Sequence, residues 1–371
     1  MDRKNALNKK VIPFNTLVLI VSLFVFTFFM RCTGRSSIQN DIIVINDSIK
    51  VTTNKLIEET ELLDPWCIGI IDTVLILGNF KGEPLLELFS TTGKPLKKLL
   101  QKGQGPHDVL HIGSIQVDAS NKTFFIFDLF GKKILKYDLN TLLKNDNYIP
   151  ELIYNFSIKL ANTDLLGELE KVFVGKNFFV SESRTPKGRI IFTNQDMTDV
   201  KYYANIPIKI DENFSDIGNA LMFSSYITMS PNQKYLAAVG VMAGMIDLYK
   251  IEKNGLDSIW SCYEYFPNNV HVMNFENISQ GFFTGESING YSWVCSSDDY
   301  VYALFTKKKF SEQLSNYGNK IRRINWKNQS IRLIEIDREI KSLCVSDDNK
   351  VIFGVGMDEN GEPAILKIDL K

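Results

Sequence analysis

The sequence predicts an all-β chain: a six-bladed β-propeller closed by an N-terminal strand that joins the last blade. Three observations carry this. No long amphipathic helical pattern occurs past residue 60. Short apolar runs recur there instead, each after a turn-forming cluster, at a spacing typical of propeller repeats. The runs are apolar on both faces, as in Phe124 to Phe127, which suits sheets sandwiched between two neighbours. A β-sandwich, the main rival, needs fewer strands and cleaner alternation.

The elements follow in order. Residues 42–45 and 48–52 read as strands, and one of them is expected to complete the last blade, removing an exposed edge. The repeat turns begin at Asp72, Asp118, Gly175, Pro231, Asp298 and Asp347, at intervals of 46, 57, 56, 67 and 49. Each leads into a run such as 74–77, 123–127 or 300–305, then a second turn and a more alternating strand. These later strands are 85–89, 133–138, 189–193, 245–249, 330–335 and 364–369, expected nearer each blade's outer edge. The longest interval hides an insertion, within 262–290 or 307–320. Residues 161–171 read as a short helix on a connection.

The N-terminus reads as an address. Arg3, Lys4, Lys9 and Lys10 precede an uncharged apolar run from Phe14 to Met30, the layout of a secretory signal. Seventeen residues are marginal for a membrane span, so an uncleaved anchor is the second reading. Cys32 follows directly, as in a bacterial lipoprotein signal, although Arg31 departs from the small residue preferred there. The expected organisation is a signal peptide over 1–31, a tether over 32–41 and a propeller over 42–371. Without residues 1–31 the chain carries 37 basic and 42 acidic residues. No basic stripe survives, which excludes nucleic acid as a partner. Cys67, Cys262, Cys295 and Cys344 form no metal or redox spacing and read as small buried hydrophobes.

The least ordinary stretch runs from Gly93 through Gly103, Gln104, Gly105, Pro106, His107 and Asp108 into Ile112–Asp118. It resembles the six-bladed, TolB-like β-propeller lipoproteins common in Bacteroidetes, in which a glycine-rich G-x-G-P-G-E-F stretch leads into the next blade. Gly103, Gly105 and Pro106 match, whereas His107, Asp108 and Val109 replace the usual glycine, glutamate and aromatic. The resemblance implies a fold and a cell-envelope location. It carries over no catalytic residues.

Gly103 and Gly105 permit unusual backbone angles and Pro106 restricts its own, so a tight inter-blade link is the plain reading. The sharper reading is a ligand loop presenting Lys102, Gln104, His107 and Asp108. His107, Asp108 and His111 do not make a metal site by pattern, because alternate residues of an extended segment face opposite ways. Asp298-Asp299 and Asp347-Asp348 read as turn formers. Enzyme signatures are absent, and no cofactor is expected. Tyr226, Trp260, Tyr265, Tyr291 and Trp293 read as inter-blade core or as sugar-stacking surfaces. The expected role is a lipid-anchored, cell-envelope binding module for an envelope protein, peptide or glycan. The alternative is a metal-dependent hydrolase or lyase centred on the channel, and a third reading is a scaffold with a plugged channel.

Overall fold

The computed structural model describes residues 43–56, 62–161, 163–275 and 278–370. The expected signal peptide, Cys32 and the tether lie outside these residues. Two short strands, β1 (Ile45–Val51) and β2 (Thr53–Lys55), come first.

Four antiparallel four-stranded meanders follow. Blade 1 holds β3 (Pro65–Ile71), β4 (Val74–Asn79), β5 (Leu86–Ser90) and β6 (Pro95–Leu99). Blade 2 holds β7 (Ile112–Asp118), β8 (Thr123–Asp128), β9 (Lys133–Asp138) and β10 (Glu151–Asn155). Blade 3 holds β11 (Val172–Val174), β12 (Phe178–Thr185), β13 (Gly188–Asn194) and β14 (Val200–Tyr203). Blade 4 holds β15 (Ser225–Met229), β16 (Tyr235–Gly240), β17 (Met245–Glu252) and β18 (Gly255–Tyr263). A hairpin, β19 (Val270–Phe275) with β20 (Ile278–Phe283), forms the insertion foreseen within 262–290. The short helix expected over 161–171 is Leu165–Glu168.

The remaining strands form one eight-stranded sheet: β21 (Tyr291–Ser296), β22 (Tyr300–Phe305), β23 (Gly318–Asn325), β24 (Ile331–Val345), β25 (Val351–Met357) and β26 (Pro363–Asp369), with β1 and β2. It is two blades sharing one long strand. The first part of β24 pairs with β23 and, in parallel, with β1, while its last residues pair with β25. Blade 5 is therefore β21, β22, β23 and the start of β24, edged by β1. Blade 6 is the end of β24, then β25, β26 and β2.

Burial closes the ring. Cys67 and Ile76 of blade 1 pack with Phe124 and Ile126 of blade 2. Ile134 of blade 2 meets Phe179 of blade 3. Val180 of blade 3 meets Ile227 of blade 4. Ile246 of blade 4 meets Val301 of blade 5, and Leu304 of blade 5 meets Ile352 of blade 6. Phe353 of blade 6 returns to Ile68 and Leu75 of blade 1. Each blade is greasy on both broad sides because each has two neighbours.

Two details depart from the sequence reading. The strand that completes blade 6 is β2, antiparallel to β26, whereas residues 48–51 lie in β1 on blade 5. Residues 331–335 form a fourth strand rather than a third, because β23 intervenes. The solvated edge of a blade is likewise its fourth strand: β6 and β10 are largely exposed or half-buried, while β9 and β13 remain mostly buried.

The closing strand is clasped by charge. Lys55 Nζ lies 2.9 Å from Asp358 Oδ2, and Asp358 Oδ1 accepts the backbone N–H groups of Asn360 and Glu362. The Lys55 hydrogen bond, then those N–H groups, hold the Asp358 carboxyl down to about 2. A lowered folded-state value stabilises the protein above the unfolded value near 3.9, and the gain is lost as pH falls through the folded value. The stability difference between the native protein and Asp358→Asn is thus expected to be constant above about pH 4 and to vanish by about pH 2. Urea unfolding at a series of pH values checks this; a difference unchanged at pH 2 contradicts it.

Candidate functional site

The inner strands β3, β7, β11, β15, β21 and the end of β24 surround a central channel that holds a cavity of about 100 Å³. Lys171, just before β11, crosses it. Its backbone carbonyl accepts the N–H of Glu182 at 3.0 Å, which places the two residues opposite each other on one hairpin. The Lys171 ammonium then lies 4.0 Å from Glu182 Oε1. It also lies 4.3 Å from the ring centre of Tyr226, 5.1 Å from Trp293 and 5.4 Å from Trp66. One side chain of blade 3 thereby meets rings from blades 4, 5 and 1. A desolvated cation over aromatic faces gains about 2 kcal/mol or more.

Local irregularities aim these groups. The pairing of β3 with β4 slips at Trp66, and that of β21 with β22 slips at Ser292. Such bulges turn neighbouring side chains out of the regular pleat. Trp293 is fixed by its Nε1–H, which donates to Leu343 O at 3.0 Å, and it meets Trp66 edge-on at 5.5 Å.

The ring contacts continue outward. Trp66 lies 6.1 Å from Phe80, Phe80 lies 4.8 Å from His111, and His111 lies 5.2 Å from Phe130, which is 68% exposed. Phe80 and Phe130 sit on the turns after β4 and β8, the end of the propeller that also carries the inter-blade connections. An aromatic track thus leads from that surface into the channel.

Electrostatics follow burial. Glu182 accepts the Ile227 N–H at 3.1 Å, yet burial raises its pKa and Lys171 only partly opposes this. Burial lowers the pKa of His111, against the pull of Asp128. Burial also pushes the Cys67 thiol up to about 12 and raises Cys295 and Cys344, so these inner-strand thiols stay protonated and unreactive.

The glycine-rich loop lies between β6 and β7 at the end reached by the track. Lys102, Gln104, His107 and Asp108 are all exposed. Asp108 closes the loop on itself, accepting the Gly105 N–H at 2.9 Å, and Lys133 Nζ reaches Gly105 O at 2.6 Å. His107 does not join His111, which is buried between Phe80 and Phe130. Among the described residues no group of three or more His, Cys, Asp or Glu is placed to hold a metal ion.

Of the five aromatics singled out by sequence, Tyr226 and Trp293 reach the channel. Trp260 packs against the core between blades 4 and 5, Tyr265 donates to Asn289 O, and Tyr291 accepts from Arg322. Lys171, Glu182 and Trp66 escaped the sequence reading. One signal existed: with the units aligned on their turns, Lys171, Tyr226 and Trp293 stand four or five residues before Gly175, Pro231 and Asp298.

No helix among the described residues is long and apolar enough to cross a membrane. No curated protein matches the chain in sequence. Among solved structures it is similar to a Bacteroides fragilis chain described as an exported protein, at 12% identity and TM-score 0.48, covering 87% of this chain and 99% of that one. It is also similar to U3-55K, at 11% identity and TM-score 0.48, covering 86% and 98%. A luciferin-regenerating enzyme matches at 11% identity and TM-score 0.46, covering 86% and 95%. A family model described as TolB-like 6-blade propeller-like matches residues 45–348, and with six blades closed around one channel the chain belongs to that TolB-like six-blade propeller family.

Proposed function

We propose that the protein is an exported, lipid-anchored binding module of the cell envelope that recognises an envelope protein, peptide or glycan at the end of the propeller carrying the inter-blade connections. The observation that carries this reading is the run of ring contacts from exposed Phe130 to the Lys171 cage. Two further features support it. Exposed large apolar side chains gather at that end, among them Phe80, Phe130, Ile158, Ile217, Met273 and Phe310. The opposite end is faced by polar turn residues such as Asp72, Lys122, Asn232 and Asp298, which bond to one another across blades. Apolar patches rimmed by polar groups mark recognition surfaces, and loops on a rigid ring are where recognition residues gather. The loop residues Lys102, Gln104, His107 and Asp108 belong to the same surface in this reading.

Glycan-array and envelope pull-down experiments test it. Binding is expected to weaken at least tenfold in Phe130→Ser, a change at an exposed position that leaves the fold intact. No bound envelope component, or binding indifferent to Phe130→Ser, rejects the reading. The anchor is tested separately: Cys32→Ser is expected to abolish incorporation of a labelled fatty acid, and retained label removes Cys32 from the proposal.

A further inference from the structure

The channel cavity is chemically lopsided. Its walls include Ile68, Ile70, Val117, Ile227, Met229 and Val345, and apolar surface dominates. Lys171 and Glu182 are the charged residues in its lining. The Lys171 side chain is only 13% exposed, and among the described residues its ammonium donates no hydrogen bond. Its contacts are three ring faces and a carboxylate oxygen at 4.0 Å, too far for one. The Trp66 ring, centred 5.4 Å away, carries a buried Nε1 with no partner among the described residues, although Trp66 does not itself line the cavity. An ammonium and an indole N–H can only donate. A group that enters the cavity and binds Lys171 therefore presents an acceptor.

Chemistry narrows what it is. A cation is repelled by Lys171. Ser114, Gln116, Thr228 and Ser296 also line the cavity, but Gln116 is held by the Val174 backbone and the Thr228 and Ser296 hydroxyls bond to each other and to Met229 O, which leaves few donors for a phosphate dianion. Glu182 stands 4.0 Å from the Lys171 ammonium, too far for a hydrogen bond, so a monoanion that reaches Lys171 Nζ directly is its closer partner. The size agrees, since an engineered cavity of about 150 Å³ takes benzene and this one suits a chain of a few carbons.

We propose that the channel cavity binds a small carboxylate bearing an aliphatic group, its carboxylate on Lys171 Nζ and its hydrocarbon against the wall of Ile68, Ile70, Val117 and Ile227. The proposal rests on the reading of the aromatic track from Phe130 to Lys171 as a recognition site. It goes further by naming the group that enters: a free short-chain acid or the carboxylate end of a longer ligand.

Isovalerate is the probe, with isovaleramide, glucuronate and inorganic phosphate as comparisons. Trp66 and Trp293 flank Lys171, so intrinsic fluorescence reads occupancy. Isovalerate is expected to give a saturable change in the millimolar range, with isovaleramide at least tenfold weaker. Lys171→Met is expected to weaken isovalerate at least tenfold while keeping the native circular dichroism spectrum. Lys171→Arg, which preserves the charge, is expected to retain binding. A peptide ending in valine that competes with isovalerate, while its C-terminal amide does not, assigns the carboxylate to a longer ligand; competition by neither peptide assigns it to a free acid. Equal binding of acid and amide, indifference to Lys171→Met in the folded variant, or tighter binding of glucuronate or phosphate overturns the proposal. Capture of an envelope component that depends on Phe130, with no saturable isovalerate signal, overturns it alone and leaves the wider binding reading standing.

Discussion

Arg189→Met is expected to lower the unfolding free energy by about 3–5 kcal/mol. Arg189 stands at the start of β13, with its side chain 3% exposed. Its Nε–H donates to Ala204 O at 3.1 Å, one terminal nitrogen donates to Ser225 Oγ at 2.7 Å, and the other lies 2.5 Å from Asp247 Oδ2 on β17. Asp247 also accepts from Ser261. The guanidinium therefore ties blade 3 to blade 4 through a nearly dry interface. Removing it strands a buried carboxylate, which is far more damaging than removing the whole pair. The double variant Arg189→Met, Asp247→Leu is accordingly expected to recover most of the loss, to within about 1–2 kcal/mol of the native protein. Urea unfolding of the four members of this cycle measures it. A single-variant loss below about 1 kcal/mol, or a double variant no better than the single, contradicts the account.

Deleting residues 43–55 is expected to remove about 3–5 kcal/mol and to make the protein self-associate. Ile43 packs against the core between blades 4 and 5, and Ile49 and Val51 pack against that between blades 5 and 6. Half-burial of three such side chains accounts for most of the figure at about 1.5–3 kcal/mol per fully buried residue. The rest lies in backbone pairing: β1 pairs along the start of β24, β2 pairs with β26, and the Thr53 N–H reaches Asp337 Oδ1 at 2.8 Å. Without them β24 and β26 become bare edges, ready templates for another chain. A lower urea midpoint and concentration-dependent light scattering are the expected signatures. A synthetic peptide of residues 43–56 added in trans is expected to reverse both. An unchanged midpoint, with the deleted protein monomeric, contradicts the clasp.

The fold was legible because its cause is local and repeated. A run such as Phe124 to Phe127, apolar on both faces, has to lie between two other layers, and six such runs at a regular spacing leave a ring as the economical arrangement. The turn residues Asp72, Asp298 and Asp347 marked the same point in successive units for a local reason, since they form tight turns. Closure was legible only in kind. Residues 48–52, with Ile49 and Val51, carry a strand signal that Asn54 and Lys55 lack, and the choice of β2 for blade 6 depends on where Thr53 meets Asp337 and Lys55 meets Asp358.

The channel site was not legible, for a physical reason. Lys171, Tyr226, Trp293 and Trp66 come from four blades, and their common place shortly before each turn shows only once the units are aligned, so nothing local marks them as partners. Tyr226 and Trp293 carry the same apolar signature as Tyr291, which is simply core. Trp66 departs from that role through a one-residue slip in strand pairing, which composition does not record. The sequence by itself determined the six slabs and their greasy faces, because periodicity and burial act within each unit. Only the tertiary structure decided which strand closes the ring and that an ammonium stands among three aromatic rings on its axis, because those contacts exist only once the first and last blades have met.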